Sequence, residues 1–212
     1  MKQKKSPFIV PDGADRVLLH ACCAPCSSAI LEWMLAHGLH PTLIFCNPNI
    51  FPLEEYTKRK AELQRHALRL GVPFTDADYD HAAWRQRVRG LEHEPERGAR
   101  CQMCFAVRLE TVARYAHEHD FPVFTTTLAS SRWKSLEQIT AAGEAAAARY
   151  PELTFWAQNW RKGGLSDRRN ALIKEYNFYN QNYCGCEFSI RPESQNPTPN
   201  GQSERNKQGS DV

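Results

Sequence analysis

The stretch Val17-Leu18-Leu19-His20-Ala21-Cys22-Cys23-Ala24-Pro25-Cys26 decides the fold of this chain. Three consecutive aliphatic residues without polar alternation read as a short strand buried on both faces, the habit of a parallel sheet. Behind the cysteines, Ser27 or Ser28 is placed to cap a helix with Ile30, Leu31, Met34 and Leu35 as its apolar stripe and Gly38 as its stop. Thr42-Leu43-Ile44-Phe45 is a second strand, closed by the turn-forming Asn47-Pro48-Asn49. A helix from about Leu53 to Leu70 puts Tyr56, Leu63, Ala67 and Leu70 on one face, and Val72-Pro73-Phe74 reads as a third strand. Strand, helix, strand, helix, strand predicts an α/β fold, a right-handed parallel sheet with helices on both faces.

The second half continues the alternation around an insertion. His81 to Arg89 reads as a short basic helix and Leu91 to Arg100 as a charged loop. From Cys104 to His117, Phe105, Leu109, Val112, Ala113 and Ala116 keep helical spacing, giving a cysteine-bearing helical insertion. Val123 to Thr126 is a fourth strand, Ser135 opens a helix carrying Leu136, Ile139, Gly143 and Ala146, and Thr154-Phe155-Trp156 is a fifth strand. A last helix, about Arg168 to Tyr179, leads into Tyr183-Cys184-Gly185-Cys186. Residues 1–15 read as a loose leader, 16–190 as one α/β domain, and 191–212 as a disordered polar tail too poor in apolar side chains to offset chain entropy.

The 212 residues are 42% hydrophobic and 24% charged, enough to build a real core. No apolar run approaches the roughly 20 residues of a membrane span, and no apolar segment follows the basic Met1-Lys2-Gln3-Lys4-Lys5. Both observations favour a cytoplasmic protein. A net charge of +3 permits contact with nucleic acid without demanding it.

The eight cysteines stand out, because seven fall in three groups: Cys22-Cys23-Ala24-Pro25-Cys26, Cys101-Gln102-Met103-Cys104 and Cys184-Gly185-Cys186. In a cytosolic chain such clusters read as metal or redox thiols rather than a disulfide framework. The first group follows strand one, where doubly wound sheets gather ligands; the second starts a helix, whose N-terminus favours thiolate. Cys22, Cys23, Cys101 and Cys104 would complete a four-thiolate site for an iron–sulfur cluster or zinc, and adjacent cysteines suit the larger cubane better than a single ion. Cys26 is a fifth thiol, open to a second metal ion, a spare role or passive packing. Cys184 and Cys186 flank one glycine, and two extended residues span at most about 7 Å, so a strained, reversible disulfide is within reach. Extra metal ligands are the other reading of that pair, whereas lone Cys46 reads as a core residue.

His20 is open to two readings, a hydrogen-bonding support for the cysteine site or a satisfied buried histidine. Trp160-Arg161-Lys162-Gly163-Gly164, with Arg168 and Arg169, suits an RNA backbone and a stacked base, or else a solvated loop before a helix. Arg85, Arg87, Arg89, Arg97 and Arg100 could extend that positive surface.

Taken together, these motifs resemble the epoxyqueuosine reductase QueH family. The matching elements are Leu18-Leu19-His20-Ala21-Cys22-Cys23-Ala24-Pro25-Cys26-Ser27, Asn47-Pro48-Asn49-Ile50, Arg100-Cys101-Gln102-Met103-Cys104-Phe105, Thr125-Thr126-Thr127-Leu128, Arg161-Lys162-Gly163-Gly164 and Tyr183-Cys184-Gly185-Cys186-Glu187-Phe188-Ser189, in order over roughly residues 16–190. The resemblance implies an adenine-nucleotide-hydrolase-like (Rossmann-like) fold and an oxidoreductase that removes the epoxide oxygen of epoxyqueuosine at the tRNA wobble position. It implies Cys22, Cys23, Cys101 and Cys104 as [4Fe-4S] ligands and Cys184 and Cys186 as a redox-active disulfide. The expected partners are that tRNA and an electron donor the sequence does not identify. An additional iron ion, with Cys26 or His20 beside it or acting as proton donor, is a further candidate, and Tyr183 is another proton source. The chain departs from many members at Arg132-Trp133, where Pro-His is usual, and at Ala157-Gln158-Asn159, which lacks an expected acid whose role would fall to Asp167, Glu175 or water. Two competing readings are an iron–sulfur tRNA-thiolating enzyme, which needs a glycine-rich phosphate loop where this chain has Cys-Cys-Ala-Pro-Cys, and a zinc-stabilised RNA-binding module.

Overall fold

The computed structural model describes residues 8–190. The expected polar tail and the first seven residues of the expected leader lie outside the described residues. Five strands, β1 (Arg16–His20), β2 (His40–Phe45), β3 (Phe74–Asp76), β4 (Val123–Thr126) and β5 (Thr154–Phe155), form one sheet in the order β3-β2-β1-β4-β5, with every pairing parallel. Six helices connect them: α1 (Ala24–Ala36), α2 (Leu53–Leu70), α3 (His81–Arg87), α4 (Ala99–Glu118), α5 (Leu136–Ala147) and α6 (Leu165–Glu175).

Strand alternation divides the core in two. Val17, Leu19, Leu43, Phe45 and Val123 pack with the apolar residues of α1, α2 and α6. Leu18, Ile44 and Phe124 point the other way, onto Phe105, Leu109 and Val112 of α4 and Ile139 and Ala146 of α5. The α/β reading of the sequence therefore holds, with helices on both faces of a parallel sheet. α5 rides so close to β5 that a Cβ on Gly143 would lie 2.3 Å from the Phe155 ring. No helix among the described residues is long and apolar enough to cross a membrane.

Several element boundaries move from their sequence-based positions. α1 begins at Ala24, with Pro25 in its first turn, so Ser27 and Ser28 sit inside the helix rather than capping it. Ser27 instead donates back to the Cys23 carbonyl at 2.7 Å. β3 falls at Phe74–Asp76 because Pro73 has no N–H for the ladder; its carbonyl still accepts from Leu43 N at 2.8 Å. α4 begins five residues before Cys104, so Cys101 falls in its first turn and Cys104 in its second. α6 runs from Leu165, burying Leu165 and Leu172, and ends before Asn177, which takes a left-handed φ of 49°. Phe8 is in the core, edge-on to Trp33 and Trp160 at 5.0 and 5.2 Å.

Candidate metal and redox site

In the order β3-β2-β1-β4-β5 the connections reverse direction between β1 and β4, and the crevice beyond their carboxyl ends is where such sheets bind ligands. Cys22 and Cys23 leave β1 at that point, and Thr127 leaves β4 beside them. The Cys22 amide donates to Thr127 Oγ1 at 3.3 Å, and the same hydroxyl faces Cys22 Sγ at 3.6 Å. Cys23 is extended (φ −175°) as the residue preceding α1, and Cys26 lies in the first turn. The chain thus turns from strand to helix within the motif, and the sulfurs of Cys22, Cys23 and Cys26 all come within 4.8 Å of one another. Neighbouring cysteines that would diverge on a regular strand converge here, with 3.8 Å between Cys22 and Cys23.

The three thiols are buried and electrostatically unequal. Hydrogen bonds from Cys23 and then Cys26 hold Cys22 well below the usual thiol range, helped by the charges of Lys134 and Arg108. Burial pushes Cys23 well up, and the hydrogen bond with Cys22 is the leading cause that raises Cys26 to about 12. Cys22 is thus disposed toward the thiolate and Cys23 and Cys26 toward the thiol, and metal capture by such a site displaces protons. A group made wholly of sulfur fits a soft or borderline metal rather than magnesium or calcium. Cys22, Cys23 and Cys26 can hold a metal ion.

The other cysteine groups close over the same space. Cys22, Cys26, Cys101, Cys184 and Cys186 line a cavity of about 370 Å³. Cys104 lies beyond it, in a recess of about 20 Å³ that Cys101, Cys184 and Cys186 also line. Burial raises Cys101 and Cys104 and lifts Cys186 to about 12. Cys23 accepts from Gln181 Nε2 at 3.1 Å. Cys46 packs instead among Ile44, Phe105 and Leu109, a core residue as its strand position suggested.

Arg59, invisible to the motif reading, organises the Cys-Gly-Cys segment. It is 2% exposed on α2, pairs with Glu55 at 2.6 Å, and donates to the carbonyls of Tyr183 (3.3 Å) and Cys184 (3.2 Å). Gly185 has φ +112°, and a Cβ there would meet Ile50 at 3.0 Å and Arg59 at 3.1 Å. Its carbonyl accepts from Phe51 N at 2.8 Å. Only glycine fits both the backbone and the space.

Other sequence candidates resolve differently. His20 is fully buried; Thr126 Oγ1 lies 2.7 Å from Nδ1 and the Cys46 carbonyl 3.0 Å from Nε2. Thr126 Oγ1 accepts from Leu128 N, so its proton goes to Nδ1 and Nε2–H donates to Cys46. Burial, then the Arg108 charge, lowers His20 to about 3, so it is a satisfied neutral imidazole with no proton to lend at neutral pH. Trp160 is 1% exposed, enclosed by Phe8, Trp33 and Trp156, which leaves no ring face for a base. The expectation that it stacks RNA is corrected: its indole completes the core under α1 and α6. Arg161 is half-buried and donates to the Lys134 carbonyl at 2.9 Å, Lys162 is exposed, and Arg168 is held by Glu32 (2.7 Å) and Glu175 (3.3 Å).

Lys134 is the second residue the sequence did not signal. It lines the cavity, and the thiols of Cys184, Cys22 and Cys26 act together to raise its ammonium above the ordinary lysine value against the effect of burial. Nothing in Ser131-Arg132-Trp133-Lys134 marks it as a site residue, because it reaches the cysteines from a loop.

A family profile described as epoxyqueuosine reductase QueH matches residues 17–192. The chain belongs to the epoxyqueuosine reductase QueH family. It is 50% identical over 195 residues to the epoxyqueuosine reductase QueH of Haemophilus influenzae, covering 90% of this chain and 80% of that protein. The protein of the same name from Acinetobacter baylyi is 46% identical over 191 residues, covering 90% and 88%. That from Thermotoga maritima is 34% identical over 177 residues, covering 82% and 90%. Within this QueH-family chain the two departures noted in the sequence fall at different depths. Trp133 stands at the cavity mouth, whereas Asn159 turns inward to accept from Arg161 N at 3.2 Å. Neither Asp167 nor Glu175 lines the cavity; Glu96 is the carboxylate among its lining residues.

Proposed function

We propose that this chain reduces epoxyqueuosine at the tRNA wobble position to queuosine, in the cytoplasm, with Cys184 and Cys186 as the two-electron donor and a [4Fe-4S] cluster on Cys22, Cys23, Cys101 and Cys104. The observation that carries it is the convergence of all three cysteine groups on one cavity at the switch point of the sheet, in a chain of this family. Opening the epoxide to an alkene and water consumes two electrons and two protons. Oxidising the Cys184–Cys186 dithiol to a disulfide releases two electrons and two protons, so the balance closes within the Cys-Gly-Cys segment. A separate electron donor then returns the disulfide to the dithiol.

The protein's own groups prepare that step. Arg59 and the Phe51 amide fix the backbone around Gly185, which holds both thiols at the cavity wall. Lys134 lines the same cavity as Cys184 and Cys22 and places a positive charge on its wall. When bound, an iron–sulfur cluster supplies one-electron transfer and a Lewis-acidic iron corner. Cys26, held beside Cys22 in its protonated form, is the donor available to an additional iron ion. The reacting nucleoside must leave the stacked anticodon loop to enter.

Anaerobic reconstitution with iron and sulfide, followed by visible absorption, metal analysis and turnover of epoxyqueuosine-containing tRNA, tests the proposal. A brown protein with about four iron and four sulfide per chain that forms queuosine is the expected result. A colourless protein holding zinc, inert toward that tRNA and indifferent to loss of Cys184 or Cys186, would instead support the zinc-stabilised module.

A further inference from the structure

The chain has five tryptophans. Trp84, Trp156 and Trp160 are buried, and Trp33 is packed against Phe8, Trp156 and Trp160. Trp133 alone is broadly open, 61% exposed, although it lines the mouth of the cysteine cavity. It is also held in place. The Arg97 guanidinium donates to the carbonyls of Arg132 and Trp133, both at 3.0 Å, and Trp133 N donates to Ser131 Oγ at 3.3 Å. The Arg132 guanidinium lies over the indole, 4.9 Å from the ring centre. A large apolar ring fixed in the open by two arginines presents a surface for another flat group.

The cavity and its charges identify that group. A space of about 370 Å³ holds one extruded base but not its neighbours, so the adjoining nucleotides of a loop must rest on the mouth. Arg97, exposed, and Lys134 and Arg169, half-buried, line the cavity against the one carboxylate among the described lining residues, Glu96. Positive charge beside an exposed aromatic ring matches single-stranded RNA, in which bases stack and phosphates pair with cations.

We propose that Trp133, backed by Arg132, is the stacking platform for the nucleobase next to the reacting nucleoside in the anticodon loop. The inference rests on the tRNA-reductase reading and names the residue that seats the loop. It moves the stacking role expected of the enclosed Trp160 to Trp133 at the cavity mouth.

The test titrates the full chain with an unmodified anticodon stem-loop RNA, following tryptophan fluorescence and the dissociation constant, for wild type, Trp133→Ala and Trp133→Phe. Stacking predicts that the RNA quenches wild-type emission and that Trp133→Ala abolishes the quench and weakens binding about tenfold or more, while Trp133→Phe retains most of the affinity. An abasic residue beside the wobble position should weaken wild-type binding to the Trp133→Ala level and leave Trp133→Ala unchanged. Equal RNA affinity for wild type and Trp133→Ala, or no wild-type binding, overturns the proposal. So does a Trp133→Ala variant that binds RNA normally but accepts electrons slowly from its donor, which would make Trp133 a protein-docking residue. Turnover of wild-type protein on epoxyqueuosine tRNA is scored separately: loss of the stacking effect with turnover intact removes only this platform, whereas an inert wild type removes the reductase reading.

Discussion

Arg59 and Cys184, 125 residues apart, are joined by a 3.2 Å hydrogen bond from the guanidinium to the carbonyl oxygen. The same planar group takes Glu55 on one side and the Tyr183 carbonyl on the other, so α2 anchors the backbone of the Cys-Gly-Cys segment. Two cysteines flanking a single glycine otherwise make a flexible loop. Here its entry is tied to a buried ion pair.

Arg59→Lys keeps the charge but loses the fork that reaches two carbonyls and a carboxylate together. Reductase turnover should fall about tenfold or more, equivalent to at least about 1.4 kcal/mol in the barrier, with iron content retained. Arg59→Ala should also destabilise the fold by about 3–5 kcal/mol, because Glu55 is left charged and buried. Steady-state assay and denaturant unfolding separate the two effects. Wild-type turnover in Arg59→Lys would show that other contacts hold the segment.

Gly185→Ala places a methyl group against Ile50 and Arg59 at a φ that side chains rarely adopt. It should cost about 1–3 kcal/mol of stability and reduce turnover by displacing Arg59. Gly90 also has a positive φ, 84°, but nothing lies within 4 Å of its would-be Cβ. Gly90→Ala should therefore show backbone strain without loss of turnover. Equal effects of the two substitutions on activity would refute the packing argument.

The cysteines should sort into three behaviours on replacement by alanine. Loss of Cys22, Cys23, Cys101 or Cys104 should remove bound metal and visible colour. Loss of Cys184 or Cys186 should leave colour and stop turnover. Cys46→Ala should do neither, costing on the order of 1 kcal/mol as a core truncation. Metal analysis and single-turnover assays distinguish the classes, and a Cys184→Ala protein that loses its metal would recast that residue as a ligand.

The sheet was legible because each strand is a short apolar run followed by a helical period, a local signal that needs no tertiary knowledge. The three cysteine groups were legible for the same reason: close spacing in sequence announces them. Arg59 and Lys134 were not, since a lone arginine on a polar helix and a lysine in a loop look like ordinary surface charges until the fold brings Cys184 to both. Trp160 misled in the opposite direction. Its basic neighbours suggested RNA, yet the indole belongs to the Phe8–Trp33–Trp156 cluster while the flanking Lys162 faces outward. Ser27 and Ser28 resembled caps because the turn that Pro25 initiates is invisible to a propensity reading that waits for the first hydroxyl.

His66 carries a pH dependence whose sign follows from its surroundings. It is 2% exposed on α2, edge-on to Phe178 at 5.0 Å, and neither ring nitrogen has a partner. Burial, then the Arg69 charge, lowers its pKa from 6.5, only partly offset by Glu32. The unfolded chain therefore binds the proton more readily than the folded one, so the His66 contribution is complete above about pH 6.5 and is lost as pH falls toward the lowered value. His66→Phe keeps an aromatic ring against Phe178 and removes the titration. Its unfolding free energy should grow steadily larger than that of wild type as pH is lowered from about 7 to about 5, while the difference stays constant above neutrality. Chemical denaturation across that range measures it directly. His20 is unchanged in both proteins and cancels from the comparison, so a difference independent of pH would mean that His66 has the same proton affinity in the folded and unfolded chain.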